Sequence, residues 1–187
     1  MSRRIDAQQT IEALESAHLR TLQGDADGIH DLRVTARRLR VWLDFGAHDA
    51  LAEELRWIAR ELGPLRDLEV VREALTEDAL RARWPAALNR ARSALESARW
   101  TRARAELRTV EAPRRKAARR LLKKLERRLS KREPELDDEA IHSLRRLVRT
   151  VRYAREWLGK DARELEAAQQ WLGALNDLHT LISLAAP

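Results

Sequence analysis

Residues 29–40 read IHDLRVTARRLR, and residues 141–152 read IHSLRRLVRTVR. Set on a helix at about 100° per residue, the first stretch gathers His30, Arg33, Arg37 and Arg40 within an arc of roughly 80°. Ile29, Leu32, Ala36, Leu39 and Leu43 fill the adjoining arc, and Val34 and Val41 lie on the other edge of the stripe. The second stretch repeats the plan. His142, Arg145, Arg149 and Arg152 run beside Ile141, Leu144, Val148 and Val151, and Tyr153 takes the place of Val41. Both stretches are therefore helices that carry a cationic row between apolar edges.

The same helical period runs through the rest of the chain. Ala, Leu, Glu and Arg, all strong helix formers, dominate, and no run of alternating β-branched residues marks a strand. With Gly and Pro as punctuation, helices are predicted near 5–22, 28–45, 49–62, 66–82, 86–109, 114–132, 138–158, 161–172 and 174–184. Asp27 and Asp137 stand where the N-caps of the two row-bearing helices belong. A second pair of segments also matches: Leu62–Val70, LGPLRDLEV, and Leu172–Thr180, LGALNDLHT. Two matches in the same order and nearly the same offset point to a duplicated unit. The expected fold is all-α: one domain, a helical bundle of two pseudo-symmetric halves, about 1–110 and 111–187, around a central basic groove.

Composition narrows the partners. Lys and Arg number 37 against 30 Asp and Glu, a net charge of +7, which favours an anionic partner. No cysteine is present, so disulfides and thiolate metal sites are excluded. No apolar run is long enough to span a membrane, and the first residues lack the apolar core of a signal peptide, so a cytoplasmic protein without a membrane partner is expected. The six tryptophans are spread along the chain, as helix-packing residues would be, rather than clustered for base stacking.

A solvated charged face mixes signs and lies opposite the apolar face. These rows carry one sign and lie against apolar neighbours, where like-charge repulsion and desolvation both raise the cost. Such a row is costly unless something anionic lies along it. The arginine fork matches phosphate oxygens bidentately. At ~1.5 Å per residue the row from His30 to Arg40 is about 15 Å long, more than one phosphate needs, so two facing rows would suit a linear polyanion. Alternatively, Asp67 and Asp177, at matching positions of the repeat, would neutralise and orient the arginines.

At these residues the chain resembles the CHAD family, the conserved histidine α-helical domains. IHDLRVTARRLR, LGPLRDLEV, IHSLRRLVRTVRYAREWLG and LGALNDL carry the likeness, and with the spacing between them they cover most of residues 20–180. The resemblance implies two helical halves with pseudo-twofold symmetry around a basic channel. It further implies binding of inorganic polyphosphate, association with polyphosphate granules, no catalysis and no cofactor. By motif, the anion-contacting positions are His30, Arg33, Arg37, Arg38, Arg40, His142, Arg145, Arg149 and Arg152, with Arg66 of LGPLRD as a weaker member. The chain departs from the family pattern in three places. Thr150 stands opposite Arg38, Asn176 stands opposite Arg66, and the sequence ends soon after LGALND, which predicts a shorter second half with a more open groove.

Other chemistries fit less well. Glu139-x-x-His142 has the spacing of di-iron bundle ligands, and Asp27-x-x-His30 repeats it, but Arg145 and Arg33 one turn on would repel a metal ion. Histidine phosphotransfer needs an exposed histidine with room around it, whereas these two sit in long basic rows. A phosphohydrolase needs a carboxylate-held metal or an activated nucleophile, and neither pattern occurs. Residues 114–132, RRKAARRLLKKLERRLSKR, form a very basic helix, and nucleic-acid binding through that surface is the main alternative function.

Overall fold

The computed structural model describes residues 5–23, 25–70, 77–132 and 137–185. Among these residues every regular element is a helix. In order they are α1 (Ala7–Leu22), α2 (Ala26–Gly46), α3 (Asp49–Glu61), α4 (Gly63–Val70), α5 (Glu77–Glu96), α6 (Ala98–Leu107), α7 (Arg115–Ser130), α8 (Asp138–Trp157) and α9 (Arg163–Ala185). The two quoted stretches lie on α2 and α8. Helix α2 packs against α1 and α3 on its apolar side and against α7 and α8 on another, so it is the central helix of the bundle. Helices α7, α8 and α9 follow one another as neighbours, much as α1, α2 and α3 do.

The core is aliphatic, with Leu14, Leu32, Leu39, Leu43, Leu55, Ile58 and Leu107 all closed to solvent. Trp100 of α6 is fully buried and donates from Nε1 to Nδ1 of buried His18 at 3.3 Å. Burial, and then the nearby Arg104, hold His18 below the ordinary imidazole range. Its neutral form is the one that can accept this bond. Helix α8 is keyed to α2 by Trp157, whose Nε1 donates to the Arg38 carbonyl at 2.9 Å and whose ring lies 6.1 Å from that of Trp42.

Three local expectations need correction. The N-cap of α2 is Asp25, whose carboxylate accepts from the Asp27 N–H, and Asp27 sits in the first turn, where an acid still suits the helix dipole. Asp137 does cap α8, accepting from the Ala140 N–H at 2.7 Å. Pro85 does not break the chain but lies inside α5; the break comes at Ser97, which caps α6 by accepting from the Trp100 N–H. Burial of Ala87, Ala91, Ala94 and Leu95 along α5 offsets the one N–H that proline removes. The expected break at Gly173 is also absent, for α9 runs straight through it. The matching Gly63 is followed by Pro64, which has no N–H to continue α3, whereas Gly173 is followed by Ala174. The expected helix over 66–82 falls partly outside the described residues.

Helix α9 departs from its counterpart in a second way. Leu65 and Leu68 of α4, which lies against α5, are buried, but the matching Leu175 and Leu178 are exposed. Trp171, 75% exposed, and Ile182 extend the same stripe. Trp171 is thus the exception to the packing role expected of the tryptophans.

Candidate functional site

The cationic rows of α2 and α8 face each other. Arg149 is the largest charged influence on Arg37, followed by Arg33 and Arg145 across and along the row. Arg33 feels Arg145, and Arg149 in turn feels Arg145, Arg40 and Arg33. Guanidinium groups from the two helices therefore lie within electrostatic reach of one another, with Arg40 linked through Arg149.

Arg33, Arg37, Arg40, Arg145 and Arg149 are desolvated and none is held in an ion pair among the described residues, although Asp67, Asp44 and Asp177 lie within electrostatic reach of Arg33, Arg40 and Arg145. Burial, above all, pushes Arg37 well below the ordinary arginine value and Arg149 down to about 10. Burial likewise lowers Arg33, Arg40 and Arg145. The Nε atoms of Arg37, Arg40 and Arg145 are closed to solvent and have no hydrogen-bond partner. Among the described residues no carboxylate forms an ion pair with any of the five. Arginine stays charged at neutral pH, so burial carries a desolvation cost here that an anion beside these groups would offset.

Arg33 has a structural tie as well. Its Nη1 donates to the Ala59 carbonyl at 2.9 Å, capping the last turn of α3. Gly63 permits the approach, since a Cβ there would lie 3.3 Å from that nitrogen. Helix α4 brings Arg66, Asp67 and Glu69 to this end of the row. Arg66 pairs with Glu69 at 3.4 Å. Asp67 is raised by burial, while Arg33 and Arg66 draw it down and Asp177 of α9 adds repulsion. Asp67 and Asp177 thus stand near the arginines but do not bond to them.

Two expected site residues belong elsewhere. Arg38 turns away from the row, lies 5.3 Å from the Tyr153 ring centre and faces Glu156 at 3.4 Å. Arg152 occupies the place of Arg40 in the repeat but is held by Glu156 at 2.7 Å and Glu166 at 2.9 Å. The glutamate at 156 was the residue the row pattern alone did not bring forward. Its signal is present in both copies, because Arg40 is followed four residues on by Asp44, and Arg152 by Glu156. His30 lies exposed at the α4 end of the row, lowered first by partial burial, then by Arg66. His142 is exposed at the matching position on α8.

A profile of the CHAD domain matches residues 6–186. The chain belongs to the CHAD family. Its fold is also similar to the crystal structure of the CHAD domain from the plant Ricinus communis, with a TM-score of 0.74 at 21% identity over 96% of this chain and 79% of that one. At that identity the likeness concerns the fold. No curated protein matches the chain. Among the described residues of this CHAD domain no helix is long and apolar enough to cross a membrane, and no three His, Asp or Glu side chains cluster as metal ligands.

Proposed function

We propose that this CHAD domain binds inorganic polyphosphate, without turning it over, in the recess between α2 and α8. Two repeated halves would each contribute a row. Arg33, Arg37, Arg40, Arg145 and Arg149 would be the main contacts, with His30 and His142 at the ends of the rows. Arg38, Arg66 and Arg152 would shape the walls through their glutamates. The supporting observation is a set of desolvated arginines from facing helices with no carboxylate paired to them. A chain of phosphates supplies successive charges at short spacing, which matches a row better than a single phosphate does. Association with cytoplasmic polyphosphate granules would follow from such binding. Duplex nucleic acid suits the recess poorly, because groove and backbone contacts call for protruding side chains.

Competition at fixed salt tests this assignment. Labelled long-chain polyphosphate bound to the domain should be displaced by unlabelled polyphosphate far better than by ATP, pyrophosphate or duplex DNA at equal phosphate concentration. Displacement by DNA as effective as by polyphosphate would overturn it.

Affinity should also depend on pH through His30. Its imidazole is lowered by partial burial, Arg66 and Arg37, against Asp31 and Asp27. A bound phosphate chain would raise it again, so binding takes up a proton and affinity rises as pH falls through ~6.5. Each unit of pKa recovered is worth up to about tenfold. Titrations between about pH 5.5 and 8.5 should show this rise in the wild type and a flatter profile in His30→Gln. Superimposable profiles would remove His30 from the site.

A further inference from the structure

Helix α7 carries an unusual charge pattern that the groove does not use. From Arg115-Lys116 to Arg127-Arg128 the sequence repeats two basic residues and two others four times. Residues four apart stack on one face of a helix, so the pattern makes two adjacent cation ridges with steps of about 6 Å. All eight cations are exposed. None of them enters an ion pair among the described residues, and the one acid of the helix, Glu126, is turned to Arg155 of α8 at 2.8 Å. Some exposed arginines elsewhere are matched with acids, as in Arg90–Glu61, Arg99–Glu54 and Arg163–Asp161.

This arrangement works against the helix. Like charges four residues apart destabilise it, and cations in the first turn, with no acid beside them, oppose the helix dipole. The apolar side of α7, including buried Ala118 and Leu122, is occupied by α2 and α8, so the helix cannot insert into a lipid surface. The ridges hold no aromatic, amide or hydroxyl group with which to stack on bases or read their edges. What remains is charge alone, which engages phosphate groups without reading bases, and the polyanion proposed for the recess is the ligand it would share.

The position of α7 completes the case. Arg155 points from α8 toward α7, whereas Arg145 and Arg149 point from α8 toward α2. The ridges and the recess therefore lie on different sides of α8. We infer that the exposed double ridge of α7 is a second polyphosphate-binding track, which engages the part of a long chain that extends beyond the recess. This rests on the function proposed above. Two tracks on one flexible ligand act in series, so affinity grows with chain length through effective concentration.

The test uses the whole domain, two probes and two variants. The α7 variant carries Arg119→Gln, Arg120→Gln, Lys123→Gln and Lys124→Gln, all compatible with a helix. The recess variant carries Arg37→Met and Arg149→Met. For long-chain polyphosphate, the α7 variant should lose on the order of a hundredfold in affinity, and the slope of log K against log salt should shrink by about 3. For tripolyphosphate, which fits within the recess, it should lose less than about twofold. The recess variant should lose binding of both. An equal loss with both probes, or none with either, overturns the second track while the recess stands. Long-chain binding that survives in the recess variant and vanishes in the α7 variant overturns the recess and keeps the ridge. A DNA duplex of equal charge that depends on α7 as strongly as the long chain does would overturn the choice of ligand.

Discussion

Replacing Arg37 and Arg149 together by methionine should raise the melting temperature of the free domain and remove most of its affinity for polyphosphate. The two effects have one cause. Both guanidinium groups are lowered by burial and by neighbouring cations. A base whose folded value lies below its unfolded value destabilises the fold at every pH below the folded value, and the penalty fades only as pH rises past it, near 10 for Arg149. At neutral pH the penalty is fully present. Methionine keeps the length and the packing and removes the charge. Exchanging buried charges for apolar side chains stabilises by about 1–4 kcal/mol, and each kcal/mol is worth about 2–4 °C in a domain of this size. Binding moves the other way. A charge-assisted hydrogen bond contributes about 1.5–3 kcal/mol, so two lost arginines cost on the order of 10²–10⁴-fold. Thermal unfolding with and without polyphosphate reads both effects. A variant that melts lower than the wild type would mean that these arginines hold the fold together rather than wait for an anion.

Glu156→Gln should do the opposite. Glu156 accepts from Arg152 at 2.7 Å and faces Arg38 at 3.4 Å; it is 15% exposed and Arg152 13%. Glutamine keeps the shape but leaves two half-buried cations with one fewer counter-charge, since only the more exposed Glu166 still holds Arg152. A fully buried pair broken in this way costs about 3–5 kcal/mol, and partial exposure reduces that to about 2 kcal/mol, or a drop of about 4–8 °C. Polyphosphate affinity should be kept or slightly raised, because the added positive charge lies beside the recess. Loss of binding with unchanged stability would place Arg38 and Arg152 among the ligand contacts after all.

These two substitutions mark the line between what the sequence discloses and what it does not. The rows on α2 and α8 are legible because helical period and residue type alone put His30, Arg33, Arg37 and Arg40 on one face and repeat that face at His142, Arg145, Arg149 and Arg152. Arg38 could also have been set apart on the same geometry, since it falls well off that arc. Arg152 could not. It has the angular position of Arg40, and what distinguishes the two is its bond to Glu156 on its own helix together with Glu166, which α9 brings alongside. Tertiary neighbours are what a one-dimensional period omits. The same holds for Pro85, where packing of the α5 alanines outweighs a local helix breaker, and for Leu175 and Leu178, whose exposure depends on what lies against α9.

The most direct test of the recess is to watch its arginines. The Nε–H resonances of Arg37, Arg40 and Arg145 should lie apart from that of Arg152, whose Nε donates to Glu156, because their own Nε donors have no partner in the free domain. On addition of long-chain polyphosphate they should shift and gain protection from exchange, while that of Arg152, held by Glu156 and Glu166, should change little. If the recess resonances stay in place while binding saturates, the anion lies elsewhere and the arginine recess is not the site.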